Sequence, residues 1–416
     1  MSRTIEIRWK AWYGDEKLKL NFPEEWNVEV ASMEDAPDIG DDKIKEAFSS
    51  PIRTKTIAEL AQGKRTAAIV VDDISRPTQA SRILPLVTEE LRKGGIDEAH
   101  TCIIMALGAH RLMTRQDCIK KLGEKIVQDI AVYNHCPYEN IVDLGKSSRG
   151  TPIKINKFFI ESDLKIGVGC VVPHCRAGFG GGGKIVLPGI AGIETLEANH
   201  RPAITGVDSK CSGGTGICEG NETRADIEEI ARKAGLDVVI NCVTNSTRGI
   251  ADVYVGDLIE AHRRCVNSAL KVYSTEVPFG VDIGIFNAYP KDTDFVQAPN
   301  VFDVYGSLER EIVREGGVIV LITASTEGKG FHYLNSKGMR LYVPLEEDIV
   351  FRRIIKNRKM IVFSPNINLF DVQELYPKNT LLMRKWTEVL QELIKHYPGK
   401  PRVALFPCAS IQLPKT

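Results

Sequence analysis

Short apolar runs that close on polar residues, each followed by a helical pattern, set the tightest limit on how this chain can fold. "TAAIVVDD" (66–73) is a continuous apolar run ending in two acids, which reads as a buried strand leading into a loop. "ASRILPLVTEELRKGG" (80–95) sets Ile83, Leu84, Leu86, Val87 and Leu91 along a helix that ends in basic residues and Gly-Gly. "HTCIIMALGAHR" (100–111) repeats the strand-to-loop pattern. "TRADIEEIARKAGLDVVINCV" (223–243) gives a helix with Ile227, Ile230, Ala231 and Ala234 on one face, a cap at Gly235 and a following strand. Strands alternating with helices in this way predict an α/β fold with a largely parallel sheet.

The pattern pauses at "SALKVYSTEVPFG" (268–280) and then restarts. "VDIGIFNAYP" (281–290) reads as strand then loop, "SLEREIVREGG" (307–317) as helix and "VIVLITA" (318–324) as strand. "KMIVFSP" (359–365) reads as strand, "LLMRKWTEVLQELIKHYPGK" (381–400) as a long amphipathic helix and "RVALFP" (402–407) as a last strand. A chain of 416 residues exceeds one ordinary core. The expectation is therefore two α/β domains, 1–268 and a smaller 275–405, with a tail at 406–416 packing back on the first. Their active site would lie in the cleft between them.

Lys+Arg and Asp+Glu are both 54, so the chain has no net charge to draw it to nucleic acid or an anionic membrane. No run of eighteen apolar residues is present, which argues against a transmembrane helix. The N-terminus alternates Ile5, Ile7 and Trp9 with polar residues, as a half-buried strand does and a signal peptide does not. A cytoplasmic protein is expected. The ten cysteines form no C-x-x-C pair and read as reduced, mostly buried thiols.

In open parallel sheets ligands bind beyond the carboxyl ends of the strands, so polar residues at strand ends are the ones to collect. They are Asp72, Asp73, Ser75 and Arg76 from "VDDISRPT", His110 and Arg111 from "ALGAHR", and His174 from "GVGCVVPHCR", with Lys184 and His200 soon after. In the second half they are Lys291, Asp292, Asp294 and Gln297 from "AYPKDTDFVQAPN". "PHCRAGFGGGGKIVLPG" (173–189) nearly spells a phosphate-binding loop, G-x-x-x-x-G-K-[ST], but Ile185 has no hydroxyl for a magnesium ion. Gly181, Gly182 and Gly183 would let backbone N–H groups approach an anionic ligand. Lys184 would then serve as nucleophile or as a point of covalent cofactor attachment. His110, His174 and His200 suit proton transfer or metal ligation. No cluster with structural zinc spacing is present, so any metal needs ligands from elsewhere.

"DDISRP", "GAHR", "PHCRAGFGGGGKIVLPGI", "NH" (199–200) and "YPKDTDFVQ" together resemble the nickel-dependent lactate racemase family, in order and spacing over roughly residues 5 to 410. The resemblance implies a nickel-pincer nucleotide, a sulfur-containing pyridinium mononucleotide holding nickel through one carbon and two sulfurs. Lys184 would carry it through a thioamide link and His200 would complete the nickel coordination. His110 and His174 would flank the substrate as acid and base, and Asp73 and Arg76 match the family's D-x-[ST]-R-P loop. The implied reaction is racemisation or epimerisation of a 2-hydroxy acid: hydride leaves Cα for the pyridinium as the hydroxyl loses its proton, and it returns to either face of a 2-keto acid. The 1–268 domain would bind the cofactor, and closure about 268–280 would shield the reaction from water. Cofactor-biosynthesis proteins are implied as partners, and the protein itself as a monomer or homodimer.

One departure bears on substrate. Family members acting on lactate have Q-x-x-K in the second-half loop; here Gln297 is kept and Asn300 stands where that lysine would be. Lys291 and Arg111 are candidates to replace its charge. Two alternatives stay open: a P-loop-like nucleotide-binding protein, and a nickel-cofactor carrier without turnover.

Overall fold

The computed structural model describes residues 2–204, 214–305, 308–333, 336–339, 342, 345 and 349–415. The chain divides into two compact units, 36–272 and a second made of 1–35 with 273–416.

The 36–272 unit is built on a six-stranded sheet. Its order is Ile250–Gly256, Val238–Thr244, Leu164–Cys170, Ala67–Asp72, Thr101–Ala106 and Ala131–Asn134. All neighbours are parallel except the first pair, which is antiparallel. Every residue of Ala67–Asp72 is buried, as expected of a central parallel strand covered on both faces. Val70 pairs with Ile104 on one side and with Gly167 on the other. The helices Ala80–Lys93, Glu222–Lys233 and Glu260–Val272 pack apolar faces around it. The predicted pattern holds here within a residue or two.

The other unit has an all-parallel sheet in the order Leu381–Met383, Lys359–Phe363, Val313–Ile322, Val281–Asn287, Arg402–Phe406 and Asn27–Val30. Four expectations are corrected. Residues 1–35 belong with this unit and not with the first domain, because Asn27–Val30 pairs with Arg402–Leu405. The tail does not return to the first domain: Leu413–Pro414 pairs with Ser274–Thr275 inside this unit. The helix predicted over 307–317 is replaced, in its described part, by the start of the Val313–Ile322 strand, whose ladder to Val281–Asn287 overrides local helix preference. Likewise 381–400 is not one helix: Leu381–Met383 adds to the sheet edge and the helix runs Trp386–His396.

Candidate active site

Three adjacent strands of the 36–272 sheet, Leu164–Cys170, Ala67–Asp72 and Thr101–Ala106, deliver the candidate residues at their carboxyl ends. After Ala67–Asp72 the chain turns, and Asp73 accepts from the Ser75 backbone N–H (2.8 Å) and from its hydroxyl. Arg76 Nη1 donates to Ser75 Oγ at 3.0 Å. Beneath them Asp72 takes a buried ion pair from Lys121 (2.8 Å) and a hydrogen bond from Thr78 (2.6 Å), which fixes the turn.

His110 Nδ1 faces Asp73 Oδ2 in a close hydrogen bond and lies 3.1 Å from Ser75 Oγ. A carboxylate only accepts, so His110 donates from Nδ1, and the neutral form of the ring has its lone pair on Nε2. Burial alone would raise the Asp73 carboxyl; the His110 charge and hydrogen bond, with Arg76 and Ser75, outweigh it and hold the group well below the usual carboxylate range.

His174 has the opposite tautomer. Its Nδ1 accepts the backbone N–H groups of Arg176 (3.1 Å) and Ala177 (3.2 Å), so the neutral ring holds its proton on Nε2. That atom lies 3.2 Å from Lys184 Nζ. Desolvation, reinforced by the Arg224 and Arg76 charges, pushes the Lys184 amine well below its ordinary pKa. A neutral amine has a lone pair to accept from His174 and to act as a nucleophile. His200 donates from Nδ1 to the Leu196 carbonyl at 2.7 Å, one turn back in its helix. That bond directs the Nε2 lone pair outward, as in metal-ligating histidines. Burial, with the charge of Arg176, lowers the ring to about 3, so it stays neutral.

The glycine loop is held from below by residues the sequence reading passed over. Arg224, fully buried, donates to the carbonyls of Ala177 (3.1 Å), Gly181 (3.2 Å) and Phe179. His262 Nε2 donates to Gly180 O at 2.8 Å, and Asn241 Oδ1 accepts from Gly182 N at 2.8 Å. Gly182 has φ +57°, and a Cβ there would sit 2.9 Å from the His262 ring. Its N–H is thus turned inward, and glycine at 182 and 183 is explained by close packing on the Glu222–Lys233 and Glu260–Val272 helices. Gly182–Ile185 is one 3-10 turn and opens no α-helix, so the dipole that backs the phosphate of a P-loop is missing.

The signal for Arg224 was in the sequence: it shares the inward face with Ile227, Ile230 and Ala231 at helical spacing. Arg111, a candidate to replace missing charge, donates to Asp117 (2.9 Å) in the cap of Arg115–Leu122. Among the described residues no group of three His, Cys, Asp or Glu side chains is arranged to hold a metal alone, and no helix is long and apolar enough to cross a membrane.

In the 1–35/273–416 unit, Lys291 and Gln297 are buried after the Val281–Asn287 strand. Asn300 Nδ2 donates to the Gln297 carbonyl (2.7 Å) and side-chain oxygen (3.2 Å) within the Phe295–Tyr305 3-10 segment. Asp292 accepts the Lys10 and Ala11 backbone N–H groups at 2.9 and 3.0 Å, and burial pushes its carboxyl up to about 6.

Fold and candidate site together define an α/β protein with His110, His174, His200 and a desolvated Lys184 in the 36–272 unit. Residues 13–212 match the lactate racemase N-terminal domain, and the chain belongs to the lactate racemase family. It is 28% identical to a lactate racemase of Thermoanaerobacterium thermosaccharolyticum over 88% of this chain and 89% of the relative. It is 31% identical to one of Lactiplantibacillus plantarum over 69% of this chain and 66% of the relative. In fold it resembles the solved lactate racemase apoprotein from T. thermosaccharolyticum, with TM-score 0.76, 24% identity and 100% of both chains covered. A Thermotoga maritima protein gives TM-score 0.69 at 18% identity, covering 91% of this chain and all of its own.

Proposed function

We propose that this protein is a racemase or epimerase of a 2-hydroxy acid and works with a nickel-pincer nucleotide held at Lys184 and His200. The observation that carries the reading is Lys184, a desolvated amine on a loop braced by Arg224, within electrostatic reach of His200, whose Nδ1 is committed to Leu196 O and whose ring stays neutral. Those are the two donors such a group needs from the protein, a nucleophilic nitrogen for covalent attachment and one imidazole for nickel. When bound, the nucleotide supplies the acceptor and donor of the hydride.

The chain's own residues handle the proton. His110 presents a lone pair at Nε2 and can take the hydroxyl proton; Asp73 fixes its tautomer and stabilises the charge it gains. His174 presents a proton at Nε2 and can give one. A group that can take a proton and one that can give a proton suit a reaction that must run in both directions. Arg76 has donors beyond the one on Ser75 to fork onto the substrate carboxylate. Lys291, Gln297 and Asn300 belong to the same proposal as substrate contacts.

The test is intact mass and peptide mapping after co-expression with nickel and the cofactor-synthesis proteins. An adduct on the Lys184 peptide with one nickel per chain is expected, absent from Lys184→Ala. No adduct, where a known family member acquires one, would sink the reading. His110→Ala and His174→Ala should keep the adduct and lose racemisation; full activity in both would remove their acid and base roles. A carrier would show no activity to lose.

A further inference from the structure

Arg176 has no task in this scheme. It sits in the turn of the short ribbon Pro173–His174/Gly178–Phe179, two residues after His174. Its backbone is committed: the N–H donates to His174 Nδ1, and the carbonyl accepts from Asn221 Nδ2 at 2.9 Å. Its side chain is not. Nη1 is buried and has no hydrogen-bond acceptor. Arg224, buried throughout, shows the contrast, with its N–H groups spent on three loop carbonyls. A buried guanidinium donor without an acceptor is destabilising, and its persistence marks a place where an acceptor arrives from outside. The Arg176 charge also reaches Lys184 and His200, which puts it at the reacting centre.

We propose that Arg176 receives a second anionic group on the substrate, so that the preferred substrate is a 2-hydroxy dicarboxylate and not lactate; this rests on the function proposed above. Every 2-hydroxy acid has one carboxylate, and Arg76 is placed to take it. A second guanidinium beside the acid His174 is surplus for a monoacid and complementary to a diacid. Of the other candidates, Arg111 is paired with Asp117, and Asn300 is neutral and tied to Gln297. The planar fork of arginine matches a carboxylate in two hydrogen bonds, which gives direction as well as charge.

The test uses the full chain with its Lys184 adduct verified by mass, and malate and lactate as probes. Wild type should favour malate in kcat/KM by about tenfold or more. Arg176→Gln should raise the malate KM about tenfold and leave lactate within about threefold, with Arg176→Lys between them. Thermal melts check folding, and Arg176→Met replaces the Gln variant if that one fails to fold. Calorimetric titration of unloaded protein with both acids separates the two proposals. Arg176-dependent malate binding without any adduct would support this inference while removing the racemase reading. A wild-type preference for lactate, equal effects on both acids, or a defect confined to adduct loading would overturn it, the last by giving the guanidinium to the nucleotide's phosphate.

Discussion

Asp73 and Asp292 stand at equivalent points of the two units, each just past the carboxyl end of a parallel strand and each buried. Their carboxyls move in opposite directions. Asp73 faces His110 and Arg76 and is held well below the usual range; Asp292 accepts backbone N–H groups and is pushed up to about 6 by burial, with the Asp15 charge adding to it. Position in an α/β sheet puts a carboxylate where ligands bind, but its neighbours decide whether it orients a proton carrier or clamps a turn.

The largest expected effect breaks that symmetry directly. Asp73→Asn should lower turnover of the loaded enzyme by about 10²–10⁴, because the amide no longer fixes the His110 tautomer. Asp292→Asn should leave turnover within about threefold and instead lower stability by on the order of 1–2 kcal/mol, since its –NH2 opposes a backbone donor. Steady-state rates and urea melts read both. If the two variants lose turnover equally, the comparison fails.

Next in size is Arg224→Met. It strips donors from the carbonyls of Ala177, Phe179 and Gly181 and should cost about 3 kcal/mol in denaturant unfolding. A loss below about 0.5 kcal/mol, as at an ordinary surface site, would mean that Arg224 does not hold the loop.

The pH dependence comes third, and its signs differ between the units. Asp292 binds a proton more readily folded than unfolded, so its contribution is full below about 4 and is lost as pH rises through about 6, a change of up to about 3 kcal/mol. Asp73 contributes above about 4 and loses it as pH falls through its lowered folded value. Unfolding free energies from pH 4 to 7 should therefore fall less steeply in Asp292→Asn than in wild type; identical slopes would remove the raised carboxyl.

The smallest effect is a gain. Lys184→Met should abolish the adduct yet raise stability by on the order of 1 kcal/mol at neutral pH, because a desolvated amine gives way to an apolar chain. A melting temperature clearly below wild type would show that the amine supports the fold.

Much of this was legible in the residues, for reasons that also mark the limits. Central strands such as Ala67–Asp72 declare themselves by unbroken apolar runs, and the site residues by standing just beyond them. Asn27–Val30 could not be placed, because its partner Arg402–Leu405 lies at the far end of the chain and leaves no local trace. Glu309, Arg310, Glu311, Arg314 and Glu315 gave 307–317 a helical composition, and only the ladder of Val313–Ile322 overrules it. At the candidate site, the histidines and Lys184 were singled out by type and loop, whereas the histidine tautomers depend on backbone partners such as Arg176 N and Leu196 O. The glycine run looked like ligand contact; packing against His262 explains much of it.

The pairing of Asn27–Val30 with Arg402–Leu405 also sets an order of events during synthesis. A ribosome releases 36–272 whole, and its sheet can be completed while Asn27–Val30 still lacks its sheet neighbour. That first strand then waits for nearly the whole chain to be translated before it can zip into place. A nascent protein stopped between residues 272 and 402 would therefore hold a finished glycine loop while Asn27–Val30 is still without its sheet neighbour.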